Sequence, residues 1–339
     1  MARSERCAHR AVESTMADST NWAFPTALQP DAAALDFDLP RALNAVVRLA
    51  ARVPDDAFTA PLLGTEREGN GVVIRDDGLI ATIGYLITEA DAVWITTHDG
   101  RVLPGHPLAY DFATGMGLVL PLAPLRLAPI PLGTAADVDV DDDVYVIGHG
   151  GRHHALKASV FARREFAGYW EYLLDVALFT APPHPEWSGA ALVDEHGRLV
   201  GIGSLFVQEA QGEDVQKGNM FVPIDVLVPI LDDLVARGRA ARPARPWLGM
   251  YAGDDNNRLV VGGLAPGGPA DRAGVRQGDL VVAVADQRVA TLAEMLRSVW
   301  KLGPSGTVIP LTLARNGATV NVKVKSADRG DFMKKPSLQ

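Results

Sequence analysis

The chain has 339 residues, enough for two domains of ordinary size. Hydrophobic residues make up 47% and charged residues 22%, the profile of a folded globular protein and not of a disordered one. The net charge of −9 argues against a sequence-independent binder of nucleic acid or of anionic membranes, because both need a basic footprint. The single Cys7 excludes an internal disulfide framework and a thiolate metal cluster. No apolar run approaches the length of a membrane span, and nothing in the composition calls for a cofactor.

The arm from Met1 to Leu39 starts polar, with charges throughout and no apolar segment of the signal-peptide kind. That reading makes the protein cytoplasmic, or periplasmic if the start is misassigned. Trp22 and Phe24 stand out in this polar arm.

From about residue 40 to 240 short runs rich in Val, Ile and Leu alternate with Asp-Gly and Pro-Gly turns. Among them are Ala45–Ala50, Asn70–Asp76, Ala92–His98, Met116–Ala123, Asp143–Gly148, Tyr172–Phe179 and Ala190–Val207. Helical periodicity is nearly absent, so the pattern predicts an all-β sandwich or barrel. Pro223–Arg239 has apolar residues at helical spacing and ends on Gly238, which predicts one helix.

Ala241–Met250 carries two Pro-Arg pairs and reads as a stiff, exposed connector. After it the pattern changes. A strand at Leu259–Gly262 leads to a Gly/Pro turn, a short helix at Pro269–Ala273, a strand at Asp279–Gln287 and an amphipathic helix at Thr291–Gly303. A hairpin at Thr307–Val324 turns on Asn316-Gly317, a strong two-residue hairpin signal. The domain ends at about residue 326, and the charged tail 327–339 reads as frayed.

The run Leu264–Arg297 resembles the PDZ domains of the HtrA/DegP protease family in Ala270, Ala273-Gly274-Val275, Gly278-Asp279 and Val281. PDZ domains bind extended peptides by adding a strand to a sheet edge beside a helix. The resemblance implies that Trp247, Leu248, Gly249 and Met250 form the loop for a peptide's terminal carboxylate. It also implies that Met295 and Val299 line the side-chain pocket; Leu292 divides between that pocket and the core. The implied partners are C-termini of peptides or unfolded proteins, with an apolar last residue.

The region before it resembles the trypsin-like double β-barrel of the same family in three blocks: Asn70–Thr82, Asp99–Leu122 and Ser188–Ser204. The fold class expected is therefore mostly β, a chymotrypsin/trypsin-like double barrel followed by an α+β PDZ domain. The register carries the family's catalytic positions onto this chain. Tyr85 stands where the catalytic His belongs, Gly115 where the Asp belongs and Glu186 at the oxyanion-hole glycine, while Ser188 keeps the nucleophile.

A serine hydroxyl becomes a nucleophile only when a base takes its proton, and a tyrosine of ordinary pKa about 10 is protonated at neutral pH. Losing the base costs on the order of 10⁶ in rate, and losing one oxyanion donor about 10²–10³. Three readings follow. The first is a pseudoprotease that binds peptide C-termini as a scaffold, chaperone or regulator. The second is an active endopeptidase using Ser188 with an unconventional base. The third is a non-catalytic subunit beside an active paralogue.

Candidates for a substitute base are His149, His153, His154, His184 and Lys157; each also reads as a solvated loop residue. His149, His153 and His154 could otherwise hold a metal, but a carboxylate at good spacing is missing. The acidic run Asp137, Asp139, Asp141, Asp142, Asp143 lacks the glycine and terminal glutamate of a calcium loop and reads as a solvated turn. The resemblance implies a trimer in which Trp22 and Phe24 pack protomers together; the alternative is that they fold back on their own barrel. Trp187 is placed to plug the former substrate pocket.

Overall fold

A computed structural model describes residues 22–168, 172–211, 214–255 and 258–335. The first closed barrel is built from β1 (Val46–Arg52), β2 (Glu66–Val73), β3 (Ile80–Ile83), β4 (Ala92–Thr96), β5 (Val102–Tyr110) and β6 (Met116–Pro121), in the order β1-β2-β3-β6-β5-β4. The second contains β7 (Asp143–Ile147), β8 (Ala155–Gly168), β9 (Tyr172–Ala181), β10 (Ala191–Val193), β11 (Leu199–Gln211) and β12 (Asp214–Pro223), in the order β10-β11-β12-β9-β8-β7. The mostly β, two-barrel architecture matches the expectation from the short apolar runs. Two short helices, α1 (Leu39–Asn44) and α2 (Ala60–Leu63), precede β1 and β2. β5, β8 and β12 are absent from the sequence expectation, because prolines and a glycine interrupt the apolar run in β5 and polar residues interrupt it in β8 and β12.

The single helix expected at Pro223–Arg239 is instead two 3₁₀ turns followed by α3 (Leu231–Arg237). Pro229 lacks the N–H that a continuous helix needs, and Gly238 ends α3 in the left-handed conformation.

The PDZ sheet follows the order β13-β14-β15-β17-β18, with β16 (Gln287–Arg288) on β15. Its strands are β13 (Met250–Asp255), β14 (Arg258–Leu264), β15 (Leu280–Val284), β17 (Val308–Arg315) and β18 (Ala318–Lys325), with helices α4 (Pro269–Arg272) and α5 (Leu292–Lys301). Thr291 and Glu294 form a reciprocal capping box that starts α5 where the sequence placed it. The β17–β18 turn has φ of 50° at Asn316 and 78° at Gly317, as a type I′ hairpin requires. Asp279 accepts the Arg276 N–H and a two-pronged bond from Arg315, which holds its carboxyl below the usual range.

The connector is not a free spacer: Arg242 makes a two-pronged ion pair with Asp111 of the first barrel, and Pro246 onward is buried. Nor is the tail frayed up to Lys335. Ala327 exchanges backbone hydrogen bonds with Trp247, and the Phe332 ring packs 4.8 Å from Trp247 and 6.0 Å from Phe58 of the first barrel. The Lys334 N–H donates to buried Glu89. The β8–β9 hairpin reaches the PDZ domain too, with Ala167 and Leu173 packed on its core.

Candidate functional site

Tyr85 sits in a 3₁₀ turn, Gly84–Leu86, that leaves β3 at the seam between the barrels. The Gly84 N–H donates to the carbonyl of Gly115, and the Tyr110 ring lies so close that a Cβ on Gly84 would come within 2.1 Å of it. Behind the turn the buried Arg67 guanidinium donates to the carbonyls of Tyr85 and Thr88 and to the Thr59 hydroxyl. Burial lowers its pKa to about 10. The Tyr85 ring is therefore aimed by its backbone.

Its hydroxyl lies 2.8 Å from Oγ of Ser188 and 2.9 Å from the carbonyl oxygen of Ser204. A carbonyl can only accept, so the phenol proton goes to Ser204 and the serine hydroxyl donates to the phenol oxygen. Burial raises the Tyr85 pKa to about 12, while Ser188 and Trp187, donating to that oxygen, pull the other way. A neutral phenol oxygen is a very weak base, so nothing here draws the proton off Ser188.

Ser188 is held by Asn70, a residue that the sequence reading passed over. Asn70 N–H donates to the Ser188 carbonyl at 2.7 Å and its side chain to the Glu186 carbonyl at 2.8 Å, while its Oδ1 accepts from His149 N–H. One buried amide thus ties the first barrel to both loops of the second. Gly189, at φ 72°, leaves no room for a Cβ, which would fall 1.9 Å from the Asn70 carbonyl oxygen.

The Glu186 N–H is also engaged. Glu186 N–H donates to Nδ1 of His184 at 3.0 Å. That bond makes Nδ1 an acceptor, so Nε2 carries the hydrogen and donates to the His154 carbonyl at 2.9 Å. His184 is fully buried, and burial lowers its pKa to about 4. It is neither a base for Ser188 nor the solvated loop residue of the sequence reading.

The other candidate bases are placed elsewhere. Lys157 pairs with Asp143, and His149 Nε2 faces the Thr97 carbonyl with its pKa lowered by burial. His154 stacks under Trp22 at 4.1 Å with its Nδ1 3.5 Å from Glu186. Among the described residues no group of three or more His, Cys, Asp or Glu is placed to hold a metal. Within the acidic run Asp137 pairs with Arg198, Asp139 with Arg163 and Asp143 with Lys157, and Asp142 accepts the Asp139 N–H.

Gly115, at φ 77°, is buried but uncrowded: a Cβ would touch only Ile83, at 3.7 Å. The carboxylate four residues earlier, Asp111, serves Arg242 and the Thr114 N–H instead. Trp187 packs against Phe206 with ring centres 5.7 Å apart. Trp22 and Phe24 fold back on their own chain: Trp22 Nε1 donates to Glu186, and Phe24 N–H donates to the His153 carbonyl.

In the PDZ domain Met295 and Val299 are each 1% exposed and lie in its core with Leu292, so in this structure they are packed, not open to a ligand. Trp247, Leu248 and Met250 are buried too, and Gly249 turns the chain between them with φ 66°. β13 forms one end of the sheet, and α5 packs beside it.

Residues 69–202 match the family of trypsin-like peptidase domains, and residues 246–326 match the PDZ domains. The class is thus a trypsin-like fold joined to a PDZ domain. A probable periplasmic serine endoprotease, DegP-like, from Halomonas elongata is 28% identical over 287 residues, covering 78% of this chain and 57% of that protein. The chain therefore spans little more than half of that relative. Serine endoprotease DegS of Haemophilus influenzae is 25% identical over 259 residues, covering 76% of each chain. The solved HtrA-type protease AlgW with decapeptide shares the fold, with a TM-score of 0.53 and 20% identity over 88% of this chain and 98% of that one. The chain belongs to the HtrA family.

Proposed function

We propose that this HtrA-family chain does not cleave peptides: its barrels act as a scaffold and its PDZ domain recognises the C-termini of peptides or unfolded proteins. The observation that carries this reading is the Ser188 hydroxyl donating to Tyr85, whose own proton is given to Ser204. The Glu186 N–H held by His184 supports it, since the donor that would stabilise an oxyanion is already bonded. The chain carries the same fold as relatives named serine endoproteases but lacks a base and a carboxylate at the matching positions. Peptide recognition rests on the PDZ match and on the turn at Gly249 beside the end strand β13.

The test is reaction with a serine-directed fluorophosphonate beside casein digestion, with Ser188→Ala as control. No labelling of folded protein is expected. Labelling at Ser188 with turnover would refute the reading and establish an unconventional base. An activity seen only after mixing with an intact relative would favour the role of a non-catalytic subunit.

A further inference from the structure

We propose that the cavity between the first barrel, the connector and the PDZ domain binds a compact polyanion of the phosphate class. The cavity encloses about 670 Å³ and is bounded by the loop after β5, the connector, the end of α5 and the C-terminal strap. In a chain of net charge −9 this one space is lined by a surplus of cations, among them Arg239, Arg242, Arg245 and Lys335. Of its four carboxylates, Glu89, Asp111, Asp328 and Asp331, the first three are engaged. Asp111 receives Arg242, Glu89 receives the N–H groups of Phe58, Thr59 and Lys334, and Asp328 caps the Gly330 N–H.

Among the described residues no carboxylate lies within ion-pair distance of Arg239, Arg245 or Lys335. Arg245 instead lies over the Trp300 ring, its Cζ 4.0 Å from the ring centre. Its pKa is pushed down, first by burial and then by its like-charged neighbour Arg242, while Asp111 and Asp175 act in the opposite sense. Arg245 thus carries its charge beside Trp300 with no carboxylate among the described residues in direct ion-pair contact.

The chemistry of these cations selects the ligand. The ring faces of Trp300 and Phe112 are already covered by the guanidinium groups of Arg245 and Arg329. A guanidinium presents its N–H groups as a fork, and that fork suits the paired oxygens of a phosphate better than a single point charge would. The connector's Arg-Pro repeat gains a reason: proline stiffens the backbone that presents two of these arginines.

The experiment is titration calorimetry of the full chain with inorganic pyrophosphate, on wild type and on Arg239→Ala/Arg245→Ala. Saturable, salt-sensitive binding is expected, weakened at least tenfold in the double variant. Arg245→Lys, which keeps the charge and loses the fork, should weaken it by an intermediate amount. If Arg245→Ala fails to fold, Arg239→Ala and Lys335→Ala provide the same comparison. Absence of binding overturns the proposal, as does binding that the substitutions leave unchanged. Tighter capture of a glutamate-rich peptide than of pyrophosphate would assign the cavity to acidic peptides and also overturn it. The result is independent of protease activity and of PDZ recognition.

Discussion

Ser188 Oγ stands 2.8 Å from the hydroxyl of Tyr85, and the hydrogen between them belongs to the serine. Distance alone would suggest an activated pair. The direction of the proton reverses that meaning, because Tyr85 has already committed its own hydrogen to Ser204. The contact stabilises an idle serine.

Restoring the imidazole alone should therefore restore nothing. Tyr85→His leaves Gly115 without a carboxylate to orient the ring and leaves Glu186 N–H on His184. Fluorophosphonate labelling of that variant is expected to stay at background. Tyr85→His/Gly115→Asp/Glu186→Gly should rise above it, since there is room for a side chain at position 115 and aspartate tolerates positive φ better than most residues. Labelling of the single variant would show that the base was the sole defect.

His184 gives the fold a pH dependence of definite sign. Its folded pKa is about 4 against an ordinary 6.5, so the unfolded chain takes up a proton between these values that the folded chain refuses. Stability is full above pH 6.5 and declines as pH falls toward 4, by about 3 kcal/mol in total for this group. His149, also lowered by burial, adds to the loss in the same direction. Urea unfolding at pH 7.5 and pH 5 should show the difference in wild type, and His184→Gln should reduce it. An unchanged difference in that variant would assign it to other groups.

Tyr85, Gly115 and Glu186 could be singled out from the sequence because each lies inside a block of fixed register or within three residues of one. The Asn-Gly turn and the α5 capping box were legible because both are local. What escaped depends on partners far away in the chain. Asn70 meets Glu186 and Ser188, more than a hundred residues on, and nothing near Asn70 announces that. His184 looked like a loop residue because its burial comes from packing with Trp22 and Phe24, which the N-terminal arm brings from another part of the sequence. The tail 327–335 looked frayed because its charges are local, whereas its anchors are distant: Ala327 on the Trp247 backbone, the Phe332 ring between Trp247 and Phe58, and the Lys334 N–H on Glu89.

The Phe332 ring makes a test of the strap. Phe332→Ala removes a half-buried ring from two aromatic partners and is expected to cost about 2 kcal/mol. The loss should appear first at the joint between barrel and PDZ domain, as faster proteolysis within the connector. Unaltered proteolysis would mean that Arg242 and Asp111 suffice to hold the joint.

A last expectation concerns the hairpin and α5. Arg297 pairs with Glu165 on β8 and with Asp175 on β9, 3.3 Å away, while Ala167 and Leu173 rest on the PDZ core. Exposed ion pairs add little to global stability, so Arg297→Glu should leave the melting temperature within about 2 °C of wild type. It nevertheless places a third carboxylate between two others, and the repulsion falls on the packed seam. Hydrogen exchange is therefore expected to quicken in β8, β9 and α5 together, while the first barrel stays protected. Exchange that rises in α5 alone would show that the apolar contact holds the hairpin without its charges. Exchange that rises nowhere would show that the ion pairs do not hold the seam in solution.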